Sequence, residues 1–184
     1  SILPVDRRGV LDLAALDRTL EASPAVVSVM WVNNEVGTIQ PVEEIGRRCR
    51  AAGAMFHTDA VQAFGQLPVS VEAADATLLT LSGHKIGAPK GIGALVVRSR
   101  AAVEAIIHGG SQQFGLRPGT ENVAGSVALG RAAELAALNA DRAGEITTLK
   151  SDIDQWTEQI AKQKAKEAAD AAEADSAAAA EVDS

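Results

Sequence analysis

Three clusters of polar residues hold the side chains with which this sequence could do chemistry, and each cluster follows an apolar run. They are Asn33 and Asn34, then Asp59 and Gln62, and finally Ser82, His84 and Lys85. A lysine can form a Schiff base with an aldehyde, a carboxylate can hold a protonated pyridine nitrogen, and serine and histidine can bind phosphate. Together these side chains provide what a protein contributes to pyridoxal phosphate chemistry.

The apolar runs before these clusters predict three strands of an α/β fold. They cover residues 26–32, 54–58 and 76–81. An unbroken apolar run is typical of a parallel strand buried on both faces, and ligands bind where such strands end. A helix from Pro41 to Ala52, stopped by Gly53, is predicted between the first two runs. The pattern predicts two β-α-β steps in a partial, mostly parallel sheet flanked by helices, with the three polar clusters on one edge.

The rest of the first 144 residues predicts one more strand and three more helices. The strand, residues 93–97, follows the third run after only about ten residues, too few for a crossover helix, so we expect it to be antiparallel. Helices are predicted at residues 13–22, entered from Asp12, at residues 101–107, and at residues 122–139, where apolar residues recur at helical spacing. A glycine-rich loop, residues 108–120, lies between the last two helices.

Composition narrows the classes of protein to which the chain can belong. Its 184 residues suit a domain of ordinary size, and a net charge of -7 without a basic cluster argues against a nucleic-acid partner. No stretch approaches 18 uncharged apolar residues, so no membrane span is expected. The single cysteine, Cys49, cannot form an internal disulfide or a multi-cysteine metal site, which predicts a reducing, cytoplasmic location and no metal.

The charge divides the chain into two predicted parts. Residues 1–144 carry 13 basic and 14 acidic side chains, whereas residues 145–184 carry 4 and 10. We therefore predict a partial cofactor-binding domain over residues 1–144 and a helical, low-complexity tail rich in alanine and acids over residues 145–184. Apolar residues recur every three or four positions from Ile146 to Ile160, which predicts a docked or dimerising helix over residues 145–161. Residues 162–184 offer no apolar face, so we expect them to be exposed.

Four motifs in order resemble those of the cysteine desulfurases, which belong to the class V aminotransferase group of fold-type I pyridoxal phosphate enzymes. The motifs are NNEVG at 33–37, HTDAVQ at 57–62, SGHK at 82–85 with PKGIG at 89–93, and RPGT at 117–120. The resemblance extends from about Leu3 to Ala143, and we expect it to exclude residues 145–184. It implies that the sheet is part of the large domain of that fold.

The resemblance also implies a role for each candidate residue around pyridoxal 5'-phosphate. Lys85 would bind the cofactor covalently and move protons during the reaction. Asp59 would hold the pyridine nitrogen and keep it protonated, which strengthens the ring as an electron sink. Asn34 and Gln62 would donate hydrogen bonds around the phenolic oxygen.

Binding of the phosphate completes the implied site. Ser82 and His84 would hold it, and Thr120 would reach the phosphate of a neighbouring subunit, which implies a homodimer. The implied reaction converts L-cysteine to L-alanine and passes sulfur, as a persulfide, toward a sulfur-acceptor or scaffold protein for iron-sulfur cluster or thio-cofactor assembly. A related class V enzyme, such as a selenocysteine lyase or an aminotransferase, and a non-catalytic truncated remnant are the alternatives.

Several features depart from the family pattern or have an ordinary structural explanation. Cys49 lies on the apolar side of its predicted helix, so we expect a buried, inert thiol rather than the sulfur-carrying cysteine of the family. Phe114 stands where the family more often has a charged residue. His57, inside an apolar strand, is expected to be a packed histidine. The chain is therefore expected to be the central piece of the enzyme with a foreign or frameshifted tail, able at most to bind the cofactor through part of the site.

Overall fold

A four-stranded sheet organises the chain, and its spatial order is the chain order. The structure is a computed structural model that describes residues 1–98, 103–139, 151, 153–155, 157–159, 162 and 163. The strands are β1 (Val26–Met30), β2 (Met55–Asp59), β3 (Leu78–Ser82) and β4 (Gly93–Val97). The first three strands are parallel, and β4 runs antiparallel to β3, which confirms both the mostly parallel sheet and the antiparallel fourth strand.

Two helices begin where their sequence signals predict, although the first ends at Leu20 rather than at residue 22. The first, α1, covers Leu13–Leu20, and the Asp12 side chain caps it by accepting hydrogen bonds from the N–H groups of Ala14 and Ala15. The second, α2, covers Val42–Ala51, and Gly53 follows it with a φ of 73°, a conformation that costs glycine little.

The core lies between these two helices and one face of the sheet. Leu16, Ile45, Cys49 and Phe56 are fully buried there. The other face is open in the described part of the chain, since Ser28 is exposed and Val26 retains 48% of its accessible surface. The prediction that the strands are buried on both faces is therefore wrong, because α1 and α2 cover only one of them.

Helix α2 lies very close to the connection between β2 and β3. A Cβ atom added to Gly46 would stand 2.0 Å from the carbonyl oxygen of Ala74, so only glycine permits this approach. Asp75 follows with a φ of 51° and pairs with Arg50 of α2 and with Arg98, whose guanidinium lies 3.1 Å away. The connection is thus fixed to α2 and to the end of β4.

Two predicted helical regions are not helical. The connection between β2 and β3 consists of turns, so the fold has one β-α-β step where two were predicted. Gly65, with a φ of 80°, and Pro68 both interrupt helical geometry in that connection. Residues 103–107 of the predicted helix at 101–107 form no helix, and residues 101 and 102 lie outside the described residues.

The predicted helix at 122–139 is present at residues 123–139, but it buries a different side from the one its larger residues predict. Val123 and Val127 are exposed, while Ala132 and Ala136 are buried. A Cβ atom added to Gly65 would lie 3.2 Å from Cβ of Ala136, so the helix meets the β2–β3 connection through small residues.

The chain divides into two compact units, residues 1–140 and residues 141–184. Of the helix predicted over residues 145–161, the structure describes 151, 153–155 and 157–159, and these are helical. Ile153 has 55% of its surface exposed. Trp156 and the other residues of that predicted helix lie outside the described residues, as do residues 164–184. Among the described residues, no helix has both the length and the apolar character needed to cross a bilayer.

Candidate functional site

The carboxyl ends of the three parallel strands lie side by side and carry the predicted clusters. Met30, Asp59 and Thr80 are at the same level, because Met30 pairs with Asp59 and Asp59 with Thr80. Asp59 is the last residue of β2 and Ser82 the last of β3. Neighbouring strands lie about 4.8 Å apart, so the three strand ends fall within about 10 Å, the size of a small aromatic cofactor.

Asp59 is held in place through its backbone and through one carboxylate oxygen. Its carbonyl oxygen accepts a 2.8 Å hydrogen bond from the N–H of Trp31, and its Oδ1 accepts a 2.9 Å bond from the N–H of Val61. The next N–H, that of Ala60, donates to the carbonyl of Thr80 at 2.9 Å. No other described residue donates to the carboxylate, so Oδ2 can accept a hydrogen bond from a ligand.

Lys85 lies in a tight turn that Gly83 organises. The turn, Gly83–Lys85, follows β3 directly. The N–H of Gly83 donates to the carbonyl of Ile92 at 2.9 Å, and the carbonyl of Gly83 accepts from the N–H groups of Ile86 and Ala88 at 3.1 and 2.9 Å. Lys85 itself is exposed, so its amine is accessible to a ligand at the strand ends.

The two predicted phosphate ligands contact each other beside this turn. Ser82 Oγ lies 2.8 Å from Nδ1 of His84, and the imidazole is exposed. A hydroxyl and a neutral imidazole that share a hydrogen bond keep one further donor between them, which suits the pair to an anionic group.

Asn34 lies in a loop that its neighbour Asn33 shapes. The Asn33 side chain accepts hydrogen bonds from the N–H groups of Glu35 and Val36 at 2.9 and 3.0 Å, and its N–H donates to the carbonyl of Thr38. Asn33 is therefore a turn residue, whereas Asn34 is exposed.

Two residues that sequence reasoning missed fix this loop to the start of the chain. Thr38 Oγ1 donates to the carbonyl of Arg8 at 2.5 Å. The side chain of Gln40 accepts from the N–H of Leu11 at 2.9 Å and donates to the carbonyl of Gly9 at 2.7 Å. The contacts join residues about thirty positions apart in the chain, so no local pattern in the sequence could have indicated them.

Gln62 and Thr120, the remaining predicted site residues, occupy different surroundings. Gln62 is half-buried in the turn that follows Asp59. Thr120 is exposed at the end of the glycine-rich loop, where Oε1 of Gln112 accepts a 3.3 Å hydrogen bond from the N–H of Gly119. The described part of the chain gives Thr120 no hydrogen bond to the strand-end residues. Phe114, in the same loop, is fully exposed, with a φ of 59°.

Cys49 matches its structural prediction, whereas His57 is only half-buried and contacts hydroxyl groups on the open face of the sheet. Both ring nitrogens of His57 lie within hydrogen-bond distance of hydroxyl groups: Ser28 Oγ is 2.7 Å from Nδ1 and Thr80 Oγ1 is 3.4 Å from Nε2. The thiol of Cys49 is fully buried in the core, and this burial raises its pKa to about 11. Cys49 is therefore protonated at neutral pH and inaccessible, which confirms the inert thiol.

A groove of about 930 Å³ lies between α2, with Trp31 and residues 39–41 before it, and the segment of residues 67–75. Its lining includes Arg47, Arg50 and Glu72, and it contains none of the predicted site residues.

Comparisons with known proteins agree on one family. The sequence profile of the family described as Aminotransferase class-V matches residues 1–180. Cysteine desulfurase 2 of Trichormus variabilis is 46% identical over 153 residues, which cover 83% of this chain and 38% of that protein. A solved NifS-like protein from Rickettsia africae ESF-5 aligns with a TM-score of 0.72 and 37% identity, over 74% of this chain and 39% of its own. The structure described as SspA in complex with cysteine aligns with a TM-score of 0.70 and 38% identity, over 73% of this chain and 39% of its own.

These matches also correct the expectation about the tail. The family match reaches residue 180, so the prediction that the resemblance stops near Ala143 and that a foreign segment follows is wrong. The chain spans about two fifths of the length of the curated relative, as the 38% coverage shows. Sequence and structure together establish that the chain belongs to the aminotransferase class-V family.

Proposed function

We propose that this chain is part of a pyridoxal-phosphate-dependent cysteine desulfurase. The reaction would convert L-cysteine to L-alanine while a cysteine thiol takes up the sulfur and becomes a persulfide. Support comes from a 46% identical relative of that name and from a similar structure that is in complex with cysteine. The observation that carries the proposal is the meeting of Asp59, Ser82 and Lys85 at the ends of two adjacent parallel strands.

The donors and acceptors at the strand ends fit pyridoxal phosphate. Asp59 has one carboxylate oxygen fixed by the N–H of Val61 and the other open to a ring N–H. The Ser82–His84 pair offers a donor for a phosphate, and Lys85 offers an exposed amine for an aldehyde. Pyridoxal phosphate must be recognised at its ring nitrogen, its phosphate and its aldehyde, and residues of β2, β3 and the turn after β3 would do so.

Each residue would have a defined task in the reaction. The cofactor, when bound, supplies the electron sink that stabilises negative charge at Cα of the substrate. Asp59 Oδ2 would hold the proton of the ring nitrogen through a charge-assisted hydrogen bond. Lys85 Nζ would bind the cofactor covalently and move the proton at the substrate carbon. Asn34 and Gln62 would orient the ring through its phenolic oxygen.

The remaining features of the enzyme are proposed from the family. Residues 1–144 would form part of the cofactor-binding domain, and residues 145–184 would form a helical, low-complexity tail. The protein would be a cytoplasmic homodimer in which Thr120 reaches the phosphate of the other subunit, and it would deliver sulfur to an acceptor or scaffold protein. Cys49, buried with a raised pKa, would not take up the sulfur, so another thiol has that task.

Covalent labelling tests the proposal directly. The chain is mixed with pyridoxal phosphate, reduced with borohydride and mapped by mass spectrometry, and the label is expected on Lys85. Lys85→Arg should abolish the label, while Lys90→Arg, which changes an exposed lysine five residues away, should leave it unchanged. Labelling at Lys90, or spread over several lysines, would overturn the assignment.

A further inference from the structure

One imidazole connects all three parallel strands just before the site. His57, in β2, lies on the same face as Asp59, two residues earlier. Its Nδ1 lies 2.7 Å from Ser28 Oγ in β1, and its Nε2 lies 3.4 Å from Thr80 Oγ1 in β3. Ser28 is the register partner of His57, whereas Thr80 is the register partner of Asp59. The imidazole thus reaches forward to the level of the carboxylate.

We propose that His57 is a positioning residue for Asp59 and acts through Thr80. The role in catalysis rests on the proposed function, whereas the geometric part stands on the hydrogen bonds alone. Thr80 contacts β2 before and after Asp59. Its hydroxyl lies against the ring of His57, which precedes Asp59 by two residues. Its carbonyl oxygen accepts a hydrogen bond from the N–H of Ala60, which directly follows Asp59. Asp59 is therefore enclosed by two links to one residue of β3.

The chemistry of the ring suits this task without a net charge. A neutral imidazole has one N–H donor and one acceptor nitrogen, and a hydroxyl can take either part. Both hydroxyls are therefore satisfied by an uncharged ring. Loss of the contact with Thr80 would free that side chain to change rotamer, so that the segment with Asp59 would be joined to Thr80 only through the N–H of Ala60.

Two conservative replacements separate the two contacts of the ring. A glutamine amide reaches the position of Nε2, so His57→Gln keeps the contact with Thr80. An asparagine amide reaches only the position of Nδ1, so His57→Asn keeps the contact with Ser28 and loses the other. If Thr80 transmits the effect, His57→Gln and Ser28→Ala should behave like the unchanged chain, and His57→Asn should behave like Thr80→Val.

The first measurement is amide hydrogen exchange of the full chain without cofactor. His57→Asn and Thr80→Val should speed exchange at the N–H groups of Ala60 and Val61 by about tenfold, and His57→Gln should not. The second measurement is the absorbance spectrum and the affinity of bound pyridoxal phosphate, which the same two variants should change. A purely structural role would lower the melting temperature of all His57 variants together and leave the spectrum unchanged, and that result would overturn the proposal.

Hydrogen exchange and cofactor binding test this inference and the proposed function separately. If the unchanged chain fails to bind pyridoxal phosphate while the exchange pattern follows the expectation, the proposed function fails and the positioning of Asp59 by His57 is supported. If exchange at Ala60 and Val61 is the same in every variant, the inference is overturned, whatever the cofactor does.

Discussion

Gly83 and Ile92 contact each other at the two ends of the loop, residues 83–92, that carries Lys85. The Gly83 N–H donates to the Ile92 carbonyl, and the Ile92 side chain fills the space where a Cβ of residue 83 would be. The same space is bounded by Ala88. A glycine is required here by close approach rather than by an unusual φ, because an added Cβ would stand 2.9 Å from Ile92 Cγ2 and 3.0 Å from Ala88 Cβ.

Gly83→Ala should therefore displace the loop and the amine of Lys85 with it. We expect a destabilisation of about 1 to 3 kcal/mol, typical of an overpacked site, and loss of borohydride-trapped label at Lys85. Urea unfolding and peptide mapping measure the two effects. Gly130→Ala is the control, because a Cβ there meets nothing within 4 Å. Unchanged labelling in Gly83→Ala would show that the loop tolerates the methyl group.

Gly46→Ala should reverse the usual effect of this substitution in a helix. Alanine normally stabilises a helix interior by about 1 kcal/mol relative to glycine. At Gly46 the new Cβ would stand 2.0 Å from the Ala74 carbonyl oxygen, so α2 must move away from the β2–β3 connection. We expect a lower melting temperature for Gly46→Ala and an equal or higher one for Gly130→Ala. The opposite order of the two melting temperatures would contradict the close approach.

Asp59→Asn should separate binding from folding. Asparagine retains an oxygen that can accept from the N–H of Val61, so the melting temperature should hardly change. The loss of charge should weaken the hold on a protonated ring nitrogen by at least about tenfold in affinity, because a charge-assisted bond becomes a neutral one. A cofactor titration followed by absorbance measures this effect, and equal affinities for the two proteins would exclude Asp59 as the partner of the ring.

Cys49 should make stability fall in alkaline solution. Its pKa is raised from 9.0 to about 11 because burial disfavours the thiolate. A raised pKa in the folded state contributes stability that is fully present below pH 9 and is lost as the pH rises from 9 to 11. The loss should approach about 3 kcal/mol, at about 1.4 kcal/mol for each pKa unit. Urea unfolding between pH 8 and 11 should show this additional loss for the unchanged chain and not for Cys49→Ala, and parallel curves would refute it.

Gln40→Ala should loosen the loop that carries Asn34. The change removes both hydrogen bonds that join residue 40 to Leu11 and Gly9, and it leaves the N–H of Leu11 without its acceptor. We expect a destabilisation of about 1 to 3 kcal/mol. Gln40→Glu keeps an acceptor for the N–H of Leu11 but places a carboxylate oxygen against the carbonyl of Gly9, so it should not restore the stability. In urea unfolding, a free energy of unfolding for Gln40→Ala equal to that of the unchanged chain would show that the two hydrogen bonds contribute nothing.

Local signals in the sequence predicted most of the secondary structure. Asp12 predicted the start of α1, Gly53 the end of α2, and the short gap before residue 93 the direction of β4. The same signals placed Asp59 and Ser82 at strand ends, where the structure has them. Each of these features depends on neighbours within a few residues, which is why a single sequence carries them.

Features that depend on distant partners could not be predicted in this way. The larger apolar residues of the helix at 123–139 pointed to the wrong buried face, because Ala136 packs against Gly65, far away in the chain. The hydrogen bonds of the Gln40 side chain are made with Gly9 and Leu11, which lie about thirty positions earlier in the chain. The open face of the sheet could not be predicted either, because a strand run is equally apolar whether or not a second layer covers it.

The agreement between strand order and chain order has a consequence for how the protein is made. Each new strand of the sheet pairs with the one synthesised just before it, so β1 waits only for the next strand, and β2, β3 and β4 each meet a partner that is already made. Early strands can therefore acquire their hydrogen bonds while the ribosome is still adding later ones, which shortens the time for which their unpaired backbone and apolar side chains are open to aggregation. Formation of the candidate site would then follow the direction of translation, beginning with the loop of Asn34 and ending with the turn of Lys85.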